Sequence, residues 1–499
     1  MTSLRFSLLT PHVSEESDEI LLLRDHIEKA MEDISLDRAL ETFARDRDSL
    51  ASTSDILREL PRDPETVRYR QEVLQDFIAS PRLLEELRLT FRSYDTLETT
   101  WRELRSSIFM MGMPASAEGI LDSTYDSLKV TADFTRKTVS YFRSVLETIE
   151  KYQVTSAGLT GIRDYCRRMV DNSAMQEIAR IAELFKRSTA DEYTFRVLTQ
   201  SDDALRIVRA SLSEAREQEA KTFGSRMRKL AAGLGRSRED PIPHVDLGTL
   251  HDEDARSILS KALYELYSVL GSVAEAVYNL FRGISAELCF YDTGVRYYQY
   301  LKGNNALFCW PEPRPMEEDR FETEGLYDIH LILDGLSMEE ITPMDFRFAD
   351  TDGVVIRGPS ATGKTAALRA MGAAQLLGQS GWPVCAKSMV MSLRGAIFTQ
   401  FSAAERDFDA NDEAGRFEGE VKEMAHILDA MAPWSLLLLN ETFQTTAYSE
   451  GAVGMRDILE CMPRLNCRYA FVTQMSIMDS LNRTRVTALD FRQVFRTEK

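Results

Sequence analysis

From Leu259 onward, apolar residues return at alternating gaps of four and three: Leu263, Leu266, Leu270, Val273, Val277, Leu280 and Ile284. This is an a/d seam sustained over nearly four heptads. The helical pattern around it covers 252–302, about 50 residues, which at 1.5 Å per residue is roughly 75 Å. No compact core is that deep. The segment reads as a rod, or lever, whose seam needs an antiparallel partner, and the amphipathic, breaker-poor stretch 115–220 can supply one. A chain of 499 residues is also too long for a single core, and roughly two to four domains are expected.

The rest of the chain separates into two patterns. Residues 1–60 read as helical, with Leu21, Leu22, Leu23, Ile27 and Met31 on one face. A break follows at Pro61, Asp63 and Pro64, and Pro64 and Pro81 each fit the first turn of a new helix. The stretch NNALFCWPEPRPMEEDRFETEG (304–325) is Pro-rich and charged and reads as a linker. Beyond it come short β-type runs at 354–356, 436–439 and 470–473, separated by helices, which predict an α/β layer structure with a largely parallel sheet. The expected organisation is multidomain. An α-helical lever and clamp region spans 1–310, with core and lever near 50–115 and 265–310 and coiled-coil arms near 115–265. An α/β P-loop domain follows over 311–499.

The run GVVIRGPSATGKTAALRAMG (353–372) is a strand, a turn of small residues and an alanine-rich helix. Its turn fits G-x-x-x-x-G-K-[ST] from Gly358 to Thr365, a spacing that serves phosphate capture. Gly358 and Gly363 let the backbone curl so that several N–H groups face one anion. The helix that follows adds the positive end of its dipole. The candidate nucleotide contacts are Gly358, Pro359, Ser360, Ala361, Thr362, Gly363, Lys364, Thr365 and Ala366. Lys364 can bridge the terminal phosphates and the Thr365 hydroxyl can sit on Mg2+.

SLLLLNET (435–442) is an apolar strand with a polar end, and α/β nucleotide sites lie beyond the carboxyl ends of strands. Glu441 can accept a proton from an attacking water, and Asn440 can accept a hydrogen bond from a metal-bound water. RYAFVTQM (468–475) brings Thr473 and Gln474 to the same edge, where Gln474 either hydrogen-bonds a γ-phosphate or is simply a polar strand end. Gly415 stands just before a helix carrying Phe417, Val421, Met424, Ile427 and Leu428, and bare N–H groups there can meet an anion, with a second subunit's nucleotide the obvious recipient.

Charge and composition narrow the alternatives. A formal net charge of −19 argues against a nucleic-acid coat spread over the whole surface, because counterion release needs clustered Lys and Arg. One block, KTFGSRMRKLAAGLGRSR, holds Arg226, Arg228, Lys229, Arg236 and Arg238 without an acid. It lies between the two arms, where a coiled-coil tip would be, and is either a solvated helix end or a phosphate-contacting tip. No apolar run approaches the roughly 18 residues of a membrane span. The six cysteines and six histidines are scattered, without metal or disulfide spacing. Cytoplasmic residence is the expectation.

In order along the chain, LYD (326–328), GPSATGKTAALRAMG, GWPVCA (381–386), IFTQF (397–401), GRFEGEV (415–421), LLLNET and FVTQM resemble the MutS-like ATPases, the ABC-type phosphate-loop proteins known from DNA mismatch repair. Upstream, DPETVRYRQEVLQDF (63–77) and ELCFYDTGVRYYQYL (287–301) resemble that family's lever segments. The resemblance implies an ABC-type ATPase domain, ATP as the nucleotide, a homodimer with two composite sites, and clamps that close around DNA. It places Gly415 in trans on the partner's γ-phosphate. Ser360 and Thr362 replace the family's Asn and Gly, Gln474 replaces its His, and Asn440 replaces Asp as in the bacterial branch without a mismatch-reading domain. That domain and the family's terminal dimerising helices are expected to be absent, with slower hydrolysis and weaker dimerisation. Two rivals remain at this point: an ATP-gated protein scaffold that touches no DNA, and a degenerate ATPase that keeps nucleotide as a structural ligand.

Overall fold

The computed structural model describes residues 6–12, 18–110, 117–185, 193–201, 207–217, 252–348, 351–359, 362–401, 413–443, 448–474 and 486–490. The N-terminal elements are helices α1 (Asp18–Asp33), α2 (Leu36–Phe43), α3 (Arg47–Leu57), α4 (Pro64–Ala79), α5 (Pro81–Met110), α6 (Ala117–Glu150), α7 (Ala157–Asp171) and α8 (Ser173–Leu184). Several starts are written into the sequence. The Asp46 carboxylate accepts the Ser49 N–H ahead of α3, and Asp63 accepts the Thr66 N–H ahead of α4, whose first residue is Pro64. Strands β1 (Tyr193–Ser201) and β2 (Ile207–Glu217) follow, then a single 52-residue helix, α9 (Asp252–Gly303).

The chain divides into two units that alternate along the sequence: 1–6, 86–152 and 163–283 form one, and 7–85, 153–162 and 284–499 the other. Helices α5 and α9 each contribute residues to both.

In the first unit, the seam of α9 buries Leu263 and Leu270 against Tyr125, Leu128 and Ala132 of α6, with Ala182 of α8 and Phe185 just beyond it. Further along α9, Phe281 meets Phe91, Tyr94 and Phe142 edge-on, with ring centroids 5.3, 4.8 and 5.0 Å away. The expected partner from 115–220 is therefore present, but it is not helical throughout. Residues 193–201 and 207–217 pair as an antiparallel ribbon, Tyr193 opposite Glu217 and Thr199 opposite Ala210. The helical expectation fails there because Thr194, Val197, Thr199, Ile207 and Val208 are β-branched, and short runs of them favour a pleated pairing over a helix.

In the second unit, the C-terminal elements are β3 (Glu312–Arg314), β4 (Phe321–Leu326), α10 (Ile329–Leu333), β5 (Met344–Arg347), β6 (Gly353–Arg357), α11 (Lys364–Gln379), β7 (Ser388–Ser392), β8 (Ile397–Phe401), α12 (Glu413–Ala430), β9 (Leu436–Asn440), α13 (Tyr448–Cys461), β10 (Arg468–Val472) and β11 (Val486–Asp490). Five strands form a parallel sheet in the order β11-β6-β10-β9-β8, as the alternation of strands and helices predicts. Its strands are apolar on both faces, with Val355, Leu437, Leu439, Tyr469 and Phe471 buried among Met424, Ile427, Met455 and Leu459 from α12 and α13. Leu23 of α1 joins this cluster, and the His26 ring sits 5.0 Å from Phe398 of β8. The N-terminal helix is thus part of the core that surrounds the parallel sheet.

The second sheet, ordered β3-β7-β4-β5, contains two strands from the stretch read as a linker. Pro313 is accommodated because β3 is an edge strand, where one face of the backbone needs no ladder donor. Phe321, fully buried, anchors β4.

At the amino ends of the parallel strands, Arg394 is fully buried and donates to Asp319 at 2.7 Å. Asp319 also pairs with Arg468, and Arg468 donates to Asp352 at 3.2 Å. Burial pulls the Arg394 pKa down, opposed by the Asp319 charge. Removing that carboxylate strands a guanidinium away from water. Asp319→Asn is expected to lower unfolding free energy by about 3 kcal/mol, read as a lower urea midpoint at unchanged slope. A change below about 0.5 kcal/mol, the usual range for a surface substitution, would show that the cluster is immaterial to stability.

Candidate nucleotide site

The phosphate-loop motif lies where strand β6 ends and helix α11 begins. Gly358 and Gly363 have φ of 153° and 90°, values that side-chain-bearing residues avoid, so these two positions require glycine. Helix α11 starts at Lys364, directly after Gly363. The Thr362 hydroxyl donates to the Pro359 carbonyl at 2.8 Å. The Lys364 side chain is buried and turns back over the loop, its ammonium donating to the carbonyls of Gly358 at 3.0 Å and Pro359 at 2.8 Å. The charge is therefore held at the mouth of β6. Ala366 is half-buried in the first turn of α11. Ser360 and Ala361 lie outside the described residues.

The sheet order brings the second motif to the first. Strand β10 lies between β6 and β9, and the register sets Val472 level with both Ile356 and Asn440. The Thr365 hydroxyl donates to Oδ1 of Asn440 at 3.2 Å across 75 residues of sequence. A hydroxyl and an amide oxygen are hard, neutral oxygens of the kind that bind Mg2+ or accept hydrogen bonds from its waters.

Glu441 follows at once. Its N–H donates to the Val472 carbonyl at 2.9 Å, and its φ is 54°. Phe443 has φ of 63°. A left-handed conformation costs an L-residue roughly 1–2 kcal/mol, so two of them in one short turn must be held by their surroundings. Three contacts do so. Thr442 donates its hydroxyl to the Gln400 carbonyl at 3.1 Å, the Phe443 N–H reaches Oε2 of Glu420 at 2.9 Å, and the Phe443 ring packs edge-on against Phe417 at 5.6 Å.

The remaining candidates divide. Thr473 is buried and its N–H donates to the Ile356 carbonyl at 3.2 Å, while Gln474, next along, is exposed. Gly415 is not ahead of its helix but inside the first turn of α12, which begins at Glu413. The helix starts earlier than the glycine suggests because Glu413 and Ala414 are themselves helix-compatible. Arg226, Arg228, Lys229, Arg236 and Arg238 lie outside the described residues. Sequence reasoning missed Glu420 and Gln400. The available signal was a carboxylate between Phe417 and Met424 on the apolar stripe of α12, which marks a charge kept inside. Among the described residues, no group of three or more His, Cys, Asp or Glu could hold a metal, and no helix is long and apolar enough to cross a membrane.

Residues 62–304 match the family model of the MutS2 N-terminal domain, and residues 354–494 match that of MutS domain V. Over 181 residues the chain is 32% identical to the DNA mismatch repair protein MutS of a Synechococcus species, covering 36% of this chain and 20% of that protein. It is 34% identical over 141 residues to Endonuclease MutS2 of Pelotomaculum thermopropionicum, covering 28% of this chain and 18% of the relative. Against the DNA mismatch repair protein MSH3 of Cryptococcus neoformans var. neoformans serotype D it is 29% identical over 150 residues, 29% of this chain and 12% of that protein. The chain thus spans a fifth or less of the length of each of these relatives. A match to MutS domain V over the segment in which Thr365 meets the Asn440 amide, preceded by a match to the MutS2 N-terminal domain, means that this chain belongs to the MutS-related family.

Proposed function

We propose that the protein is a MutS-type, Mg-dependent ATPase that couples ATP binding and hydrolysis to movement of its helical levers on DNA, in repair or recombination. The observation that carries this reading is the bond between Thr365 and Asn440, which joins two motifs far apart in sequence at the end of one sheet. Lys364 supplies the charge that a triphosphate needs. The loop backbone from Gly358 to Ala366 shapes the cradle around it. Thr365 and Asn440 would hold Mg2+, directly and through water, and the ion supplies charge neutralisation on the phosphates when bound. Glu441 orients the attacking water and takes its proton. Gln474 stands at the same strand edge, able to hydrogen-bond a γ-phosphate.

The family relationship supports a homodimer in which Gly415, at the start of α12, meets the partner's nucleotide, and the reading places that dimer in the cytoplasm. Helices α5 and α9, continuous between the two units, are the levers. DNA contact is assigned to the basic block, Arg226, Arg228, Lys229, Arg236 and Arg238. A second reading, an ATP-gated scaffold for a protein partner, is favoured by the net charge of −19. Binding of duplex and branched DNA, measured in ADP, in ATP and without nucleotide, separates the two. The clamp reading expects nucleotide-dependent binding, with lower affinity and a shallower salt dependence after charge reversal of Arg226, Arg228 and Lys229. No binding at low salt in any state leaves the scaffold.

A further inference from the structure

We propose that Glu420 is a positioning residue for hydrolysis, a clamp that fixes the turn carrying Glu441 and ties it to the helix that begins near Gly415. The inference rests on the ATPase reading and adds to it a route by which one site senses the other. Glu420 is buried, 8% exposed, on the inner face of α12. One carboxylate oxygen, Oε2, accepts the Phe443 N–H at 2.9 Å. The Glu420 backbone carbonyl accepts the Gln400 side-chain amide at 2.7 Å, and the Gln400 carbonyl in turn accepts the Thr442 hydroxyl at 3.1 Å. Strand β8, helix α12 and the turn after β9 therefore close one ring of hydrogen bonds.

That ring encloses the strained part of the site. Residues 441 and 443 both have left-handed backbones without being glycine, a conformation that persists only where neighbours impose it. The Val472 carbonyl holds one end of the turn and Glu420 the other. Releasing the Phe443 amide lets the turn relax toward ordinary φ and swings the Glu441 carboxylate away from its working position. From Gly415 to Glu420 the helix rises about 7.5 Å, and a helix transmits a push along its axis without deforming. In the dimer, a displacement of the first turn of α12 by the partner's nucleotide arrives at Glu420 and hence at Glu441. Glu420 is not a catalytic residue, since it touches the turn and not the reacting atoms.

Four measurements on the full chain decide this: Kd for ATP, kcat, thermal midpoint and amide hydrogen exchange at residues 440–443. Glu420→Ala is expected to leave Kd within about twofold and to lower kcat tenfold or more. The Phe443 amide should exchange faster while strand β9 keeps its protection. Glu420→Gln, which retains an acceptor oxygen, should restore most of the turnover. In a Glu441→Gln background, Glu420→Ala should add less than twofold, because both act through one carboxylate. Should Glu420→Ala not fold, Glu420→Asp carries the same test, its shortened carboxylate giving an intermediate loss. Unchanged turnover, or unchanged exchange at Phe443, overturns the clamp. A fall in kcat matched by a rise in Kd, unrelieved by glutamine, marks a merely structural residue and overturns it as well. If wild-type turnover does not depend on Glu441 at all, the ATPase reading fails, and with it the catalytic purpose of the clamp. Exchange at Phe443 would still report whether Glu420 holds the turn.

Discussion

Lys364→Ala is expected to weaken ATP binding at least about 100-fold, or about 2.7 kcal/mol. Charge-assisted hydrogen bonds contribute about 1.5–3 kcal/mol each, and Lys364 is the only basic residue in the motif from Gly358 to Thr365. Its ammonium already lies over the Gly358 and Pro359 carbonyls, at the centre of the loop. Redirecting it to phosphate oxygens exchanges weak acceptors for anionic ones. Alanine loses those contacts and also releases two carbonyls that the lysine organises. The variant should fold, because the loop glycines and the start of α11 do not depend on the lysine side chain, and an unchanged thermal midpoint would establish that. Filter binding with labelled ATP provides the check. Equal affinity for wild type and variant would mean that the triphosphate does not bind in this loop.

Glu441→Gln is expected to leave ATP affinity within about twofold and to cut hydrolysis roughly 100- to 10,000-fold, the range over which a positioned general base contributes. Glutamine is nearly isosteric and keeps the left-handed turn, the N–H to Val472 and the hydrogen bonds of Thr442 and Phe443, none of which uses the Glu441 carboxylate. Only the capacity to take a proton is lost. With hydrolysis blocked and binding intact, the ATP-bound dimer should accumulate, visible as a shift in elution when ATP and Mg2+ are present. A species that elutes identically with and without ATP would speak against nucleotide-driven dimer closure.

The strand, glycine turn and helix from Gly353 to Gln379 were legible in the sequence because that backbone demands particular residues. A φ of 90° at position 363 calls for glycine, and the run of valines and isoleucine before it calls for a strand. The parallel sheet was legible for the same reason, since its buried strands are short unbroken apolar runs. What spacing could not convey is which strand lies beside which. The meeting of Thr365 with Asn440 follows from β10 sitting between β6 and β9, a topological fact that no local pattern encodes. Residues 193–201 and 207–217 pair as strands, in keeping with their β-branched residues, where the amphipathic pattern predicts a helix. Tertiary context overrides local signals at two places: the Pro-rich stretch near 313 finds an edge, and α1 inserts Leu23 into a core formed hundreds of residues later. The place of Glu420 is not legible in the sequence because its carboxylate oxygen meets the backbone N–H of a residue 23 positions away.

On the proposed function, the loop at 358–365 and the carboxylate after β9 form one hydrolytic site. Single-turnover conversion of prebound ATP, compared between wild type and Glu441→Gln with and without Mg2+, tests it most directly. Wild type should convert ATP in a Mg-dependent reaction, and the variant should lose about two orders of magnitude or more at equal occupancy. Equal rates for the two proteins would contradict it and leave a nucleotide held for structure alone.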